Sequence, residues 1–213
     1  IATARSKLLE ARKTLSLVLE GEKTRKRGAI MRQLHEVRQM LSRQYPFSSQ
    51  AGQDLIVDQI MGQKRGGTFV DIGGYDGTTG SNTFFFEVWR GWTGLLVEPA
   101  PAQLEKARLV RRCECLGVAV ANTVGDADFL EIAEGFTQMS GLVDSYDPAL
   151  LDRVRADKRH KEKVIKVKTK TLSQILQESD LIHPDFVSLD IEGEEVDVLE
   201  SFPFADHNVG AWA

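Results

Sequence analysis

Two kinds of apolar repeat divide the chain. Up to residue 47 the apolar positions recur at helical spacing: Ala4, Leu8, Ala11, Leu15 and Val18 fall four and three apart, and Ile30, Leu34, Val37 and Leu41 do the same after an interruption. Each set lies on one stripe of an α-helix. The spacing predicts two amphipathic helices joined by a turn over Gly21 to Gly28, the second ending before Tyr45-Pro46 because proline disfavours helical backbone in its predecessor. Two short stripes fall below the several heptads of a coiled coil. They can pack on each other, on the rest of the chain or on a second subunit.

From Ser48 onward short apolar runs bounded by glycine alternate with helical stretches, the signature of an α/β domain. Thr68-Phe69-Val70-Asp71-Ile72 and Gly94-Leu95-Leu96-Val97-Glu98 read as buried strands, with a helix around Thr83 to Trp89 between them. Pro99 to Arg111 predicts a helix with Leu104, Ala107 and Leu109 or Val110 inward, Cys115 to Val120 a third strand, and Asp128 to Ile132 a hairpin arm. Val164 to Thr171 alternates strictly, with Ile165, Val167 and Thr169 on one face and Lys166, Lys168 and Lys170 on the other, as a half-exposed strand does. Lysines there also discourage edge pairing. Phe186 to Ile191 is another buried strand, Glu194 to Ser201 its helix, and Val209 to Ala213 the start of the next strand. The expected fold is a doubly wound, mostly parallel sheet over 48–213, with its ligand crevice at the carboxyl ends of the strands. A helical appendage over 1–47 precedes it. Trp89, Trp92 and Phe84 to Phe86 read as core, and the four histidines, His35, His160, His183 and His207, as surface residues without ligand spacing.

Composition narrows the class. The 213 residues are 42% hydrophobic and 27% charged with a formal charge of −4, which fits a soluble globular protein and not a disordered tail. No apolar run approaches the ~18 to 20 residues of a membrane span, and no leader pattern opens the chain. Cys113 and Cys115 are too close to staple a loop and lack partners for a zinc site, so a reducing, cytoplasmic setting fits; no metal is required, although Asp190 with Glu192 could bind a divalent ion weakly. The charge is uneven. Residues 1–47 hold eleven Lys and Arg against four Glu, and the remainder 16 against 27 acids. The Arg25-Lys26-Arg27 turn reads as a solvated connection or an anion contact. Arg153 to Lys170 carries nine basic residues against Asp157 and Glu162, but no aromatic platform interleaves them, which disfavours nucleic acid. These lysines could instead take the charged part of an acidic acceptor.

The candidate chemistry sits at the strand ends. Asp71-Ile72-Gly73-Gly74-Tyr75-Asp76-Gly77 turns sharply with bare backbone, but its Asp-x-Gly-x-x-x-Gly spacing differs from a phosphate cradle and its acids favour a cationic ligand. Glu98 stands where such folds use a carboxylate to hold both ribose hydroxyls. A nucleoside with positive charge near an amino-acid tail satisfies both acids, which points to S-adenosylmethionine. In Leu189-Asp190-Ile191-Glu192-Gly193 two acids converge on the crevice, where one could hold the ammonium of that cofactor and the other orient or deprotonate a hydroxyl. An ordinary carboxylate is a poor base for an alcohol, so burial or like charge must raise one of them. Glu194 and Glu195 read as decoration of a helix N-terminus. The loop Gly135 to Gly141 reads as a surface loop or a cap over the crevice.

These residues resemble a family. Ser49-Gln50-Ala51-Gly52-Gln53-Asp54, the glycine turn, Ser81-Asn82-Thr83, Gly91-Trp92-Thr93-Gly94, Val97-Glu98-Pro99 and Ser188 to Gly193 are similar, in order, to the FkbM-type methyltransferases. The resemblance covers Ser48 to Ala213. It implies a class I S-adenosylmethionine enzyme that O-methylates sugars, glycans or secondary metabolites. By the same resemblance Asp71, Gly73, Gly74, Tyr75, Asp76 and Gly77 line the methionine half of the cofactor. Ser81 and Asn82 lie beside it, Glu98 with Pro99 takes the ribose, and Asp190 and Glu192 border cofactor and acceptor as the catalytic pair. The chain stops before the residues that follow the fifth strand in that family, so the closing strands of the sheet are expected to be missing. Two rivals stand beside this reading: an NAD or nucleotide-sugar enzyme of the same fold, and a non-enzymatic module for an anionic partner. A homo-oligomer or an adjoining domain could use 1–47.

Overall fold

The computed structural model describes residues 2–42 and 44–213. Two helices open it, α1 (Ala2–Gly21) and α2 (Lys26–Leu41), packed along their half-buried stripes. In the turn between them Arg27 Nη1 donates to Leu19 O at 2.6 Å and to Glu22 O at 3.1 Å, serving carbonyls that the end of α1 leaves without helical partners. That residue of the basic turn is therefore a cap. Helix α2 buries Leu34 and His35. His35 Nδ1 shares a 2.9 Å hydrogen bond with Tyr45 Oη, and the rings of Tyr45, Phe47 and Phe85 lead in edge and tilted contacts into the core. His35 is thus not a surface residue. His207, also buried, is held by Ser173 Oγ and Ile182 O and stacks on Phe202.

There follow α3 (Gln53–Ile60), β1 (Thr68–Ile72), a π-helical turn (Phe86–Arg90), β2 (Thr93–Val97), α4 (Pro101–Val110), β3 (Glu114–Leu116), β4 (Ala119–Val120) and β5 (Gly125–Glu134). After a 3-10 turn (Thr137–Met139) come β6 (Gly141–Leu142), α5 (Pro148–Arg155), β7 (Lys161–Lys170), α6 (Leu172–Glu178), β8 (Phe186–Leu189), α7 (Glu195–Ser201) and β9 (Ala211–Trp212). No helix among the described residues is long and apolar enough to cross a membrane.

The main sheet runs β3-β2-β1-β8-β9 and every pair in it is parallel. Its central strands are apolar on both faces, as a sheet covered on both sides requires. Val70, Ile72, Leu95, Val97 and Val187 meet Leu172, Ile175 and Leu176 on one side, while Phe69 and Phe186 meet Phe85, Phe86 and Trp92 on the other. Order reverses between β1 and β8, so the crevice of this α/β fold opens where the chain leaves β1, β2 and β8.

A second, mixed sheet, β4-β7-β5-β6, is the main departure from expectation. The predicted third strand divides into β3 and β4, which belong to different sheets. The break falls at Gly117, where a Cβ would lie 2.8 Å from Leu104 Cδ2. The predicted arm at 128–132 is the middle of the ten-residue β5, and the lysine strand is β7, antiparallel to β5 and outside the doubly wound sheet. Over 161–168 β7 has a neighbour on one side only among the described residues, so its lysines do lie on an edge. Two inward assignments also fail. Leu109 is 87% exposed and Val110 faces out too, because the buried stripe of α4 ends at Ala107; Trp89 is 55% exposed.

Candidate functional site

The glycine turn clamps the end of β1 between its two neighbours. Gly73 N and Gly74 N both donate to Val97 O, at 2.9 and 3.1 Å, and Tyr75 N donates to Glu98 Oε2 at 2.9 Å. Gly73 has a φ of +77°, and a Cβ there would stand 1.9 Å from Asp190 O, so only glycine lets the turn lie against the end of β8. The three amides are engaged inside the fold. None of them is free to cradle a phosphate, which adds a geometric objection to the dinucleotide rival.

Asp71 lies beneath this turn. Its Oδ2 accepts from Thr83 Oγ1 at 2.5 Å and Ser81 Oγ at 3.2 Å and pairs with Arg111 Nη1 at 3.4 Å. Arg111, fully buried, also pairs through Nε with Glu87 at 2.6 Å and lies over the Phe69 ring. Glu87 in turn accepts from the amides of Arg112 and Cys113. Asp76 and Gly77 line neither of the two cavities described below. The Asp76 carboxylate closes its own turn on Thr78 and Thr79, which holds it below the usual carboxylate range although burial pushes the other way. Gly77 packs against Ala107 and Arg111, a close approach that its missing Cβ permits. Ser81 Oγ accepts from Thr83 N and Phe84 N and starts the following helix.

Two cavities open at the strand ends. The narrower, about 40 Å³, is lined by Val97, Pro99, Val118 to Val120, Phe129 and Leu142, with Glu98 and Glu194 as buried acids. The Glu98 oxygens accept from Tyr75 N and from Ala100 N at 2.8 Å, and burial pushes its pKa up to about 7. This combination suits a flat apolar group attached to hydrogen-bonding hydroxyls. The wider cavity, about 660 Å³, is polar and holds Asp71, Gly74, Ser81, Asn82 and Ser188. Gly73, Tyr75, Gln138, Asp190 and Glu192 line both. The loop between β5 and β6 therefore does border the crevice: Tyr75 Oη meets Thr137 Oγ1 at 2.6 Å across the junction.

Asp190 and Glu192 both stand at that junction. Burial, with the charges of Glu195 and Asp71, raises Asp190; burial, then Asp190 and Glu195, pushes Glu192 up to about 7. Glu192 adopts a left-handed backbone (φ +52°), and Glu195 holds the loop by accepting from Ile191 N and Gly193 N at 3.1 and 3.0 Å. Glu195 is more than helix decoration, and Glu194, buried, lines the narrower cavity. Asn82 is 9% exposed; its Nδ2 donates to Ser188 Oγ at 2.9 Å while its Oδ1 has no partner among the described residues. An unmatched buried acceptor beside two carboxylates calls for a ligand rich in donors.

The sequence reading missed Arg111, Glu87 and Glu194. A buried Asp71 demanded a cation, but nothing in the sequence says which. The basic residues of β7 are also answered. Lys161, Lys166 and Lys168 pair with Glu134, Asp128 and Asp126 at 2.5, 2.8 and 2.8 Å, Lys170 pairs with Glu178, and Lys163 comes within 2.9 Å of Glu131 without hydrogen-bond alignment. None of the five lines either cavity. No cluster of three or more metal-ligating side chains occurs among the described residues.

Comparison with known proteins bears on residues 71–212, which match a family model described as the Methyltransferase FkbM domain. No curated protein matches the chain. Among solved structures, the crystal structure of Methyltransferase FkbM from Methylobacillus flagellatus KT at 2.20 Å resolution is similar at 15% identity with a TM-score of 0.41. The match covers 92% of this chain and 44% of that one, so the present chain spans less than half of that protein's length.

Proposed function

The chain belongs to the FkbM methyltransferase family, and from that premise we propose that it transfers a methyl group from S-adenosylmethionine to a hydroxyl oxygen of a sugar, glycan or secondary-metabolite acceptor. The observation that carries this reading is the junction of the two cavities at Asp190 and Glu192, with a buried carboxylate, Glu98, on the narrow side and a polar chamber on the other.

The residues fit the cofactor. Glu98 would hold the ribose hydroxyls, Pro99 and Val118 to Val120 would flank the base, and Asp190 with the unmatched Asn82 Oδ1 would receive the ammonium. When bound, S-adenosylmethionine supplies an electrophilic methyl group. Glu192 does the rest of the chemistry asked of the protein: with a pKa of about 7 it can take the acceptor's proton at neutral pH, which a carboxylate at its ordinary value does poorly. Positioning contributes more than the base, since alignment of two reactants supplies about 7 to 11 kcal/mol against about 10² to 10⁴ in rate for proton transfer.

Calorimetric titration of the full chain with S-adenosylmethionine and S-adenosylhomocysteine, with NAD as rival ligand, tests the reading. Binding is expected for the first two and to weaken at least tenfold in Glu98→Ala, which loses hydrogen bonds to a charged group. Binding of NAD in their place would sink it.

A further inference from the structure

Helix α2 lies outside the segment that matches the family, yet it walls the wider cavity. Arg32, Glu36 and Gln39 line it from positions i, i+4 and i+7, one face of the helix, opposite Asp190 and Glu192 on the strand-end side. The helix is held in place. His35 and Leu34 are buried behind that face, Gln39 Nε2 donates to Phe47 O at 3.3 Å, and the Tyr45-Phe47-Phe85 rings continue into the core. We propose that α2 is the acceptor-selecting wall of this protein, and that Arg32, Glu36 and Gln39 read the hydroxyl groups of an uncharged polyhydroxylated acceptor. The inference rests on the transferase reading for what happens at the other end of the cavity, but not for the binding itself.

The chemistry of the wall sets the acceptor class. Among the described residues Arg32 is the single cationic side chain on the cavity, and Glu36 sits 3.4 Å from it, so the wall itself presents no net charge, while Asp190 and Glu192 on the same cavity disfavour an acidic acceptor. Both side chains are well exposed, 60% and 47%, and such a pair is worth at most about 1 kcal/mol, so its polar atoms can turn to a ligand at little cost. A guanidinium, a carboxylate and an amide each offer two polar atoms in a plane, the arrangement that meets neighbouring hydroxyls in pairs. Gln50 and Gln138 add two more amides on the same cavity, and Tyr75 brings an aromatic ring to it. At about 660 Å³ the chamber falls within the ~300 to 1,000 Å³ typical of small-molecule pockets, which is room for a sugar-sized acceptor.

The test is ligand-observed NMR titration of the full chain with methyl glycosides of neutral hexoses, of hexuronic acids and of amino sugars, beside S-adenosylhomocysteine. Neutral glycosides are expected to bind and to weaken tenfold or more in the Arg32→Ala/Gln39→Ala double variant, with S-adenosylhomocysteine affinity and circular dichroism unchanged. Glu36→Gln, which alters charge without size, should weaken them severalfold and carries the test if the double variant loosens α2. Unchanged glycoside binding in both variants would overturn the proposal, as would a wild-type protein that binds no neutral glycoside or binds charged sugars alone. Loss of S-adenosylhomocysteine binding alongside α2-dependent glycoside binding would refute the transferase reading and leave this one standing.

Discussion

Below the glycine turn, Asp71 and Glu87 share the Arg111 guanidinium and are further held by hydroxyls and backbone amides. Above it, Asp190 and Glu192 face the cavities with no salt-bridge partner among the described residues, and Glu98 has only two backbone amides to offset its burial. The two layers differ in what surrounds them, not in residue type. Where a buried acid is paired with a cation, it fixes the loop; where burial acts without a cation, and like charges add to it, the acid's pKa climbs. The same turn therefore has a side closed by ion pairs and a side open to the cavities.

Arg111→Ala breaks the lower layer most directly. It would leave two carboxylates buried without their cation, and urea denaturation should register a loss of about 3 to 5 kcal/mol. A loss under about 1 kcal/mol would mean that the lower layer is not a scaffold. In the upper layer Glu192→Gln is expected to lower kcat by about 10²-fold while cofactor affinity stays close to the wild type. Wild-type kcat should rise as pH passes through about 7, and the variant should lose that rise. Stability gives an independent check with a definite sign. Because the folded pKa of Glu192 is raised, its contribution is fully present below the unfolded value and is lost as pH climbs toward and through about 7. Glu192→Gln should thus gain in melting temperature relative to wild type between pH 5 and pH 8; a gain on going to acid would reverse the argument. The smallest effect belongs to the second sheet. Lys166→Ala and Lys168→Ala break exposed pairs and should each cost under about 1 kcal/mol, with acceptor choice unmoved in a competition assay. A changed choice would return those lysines to the site.

The strands that frame the crevice were readable because burial on both faces writes them as short, mainly apolar runs, with Asp71 the single polar residue in Phe69 to Ile72 and Ser188 the single one in Phe186 to Leu189. Their ends, and with them Gly73, Glu98, Asp190 and Glu192, came with that reading. The second sheet was not readable. A two-residue strand such as Ala119–Val120 leaves no period to detect, and its separation from Glu114–Leu116 depends on Gly117 fitting against Leu104, a contact across chain segments. Asp76 and Gly77 show the limit of motif reading. Both belong to the turn, yet one closes it and the other packs it on α4. The docking of α2 depends on His35, Tyr45 and Phe47 meeting Phe85, partners separated by up to fifty residues that no local pattern announces.

The π-helical turn at Phe86–Arg90 bears on how the chain tolerates changes in length. Gly91 N returns to Phe86 O, five residues back, so the segment carries one residue more than an ordinary helical closure. Removing one residue between Val88 and Arg90 would let it wind as α-helix and rotate the residues before the deletion by about 100° against those after it. Glu87 would then swing away from Arg111, and Asp71 would lose the partner of its partner. Single-residue deletions should therefore be absent from this short segment in active relatives, even though none of its five residues lines either of the two cavities.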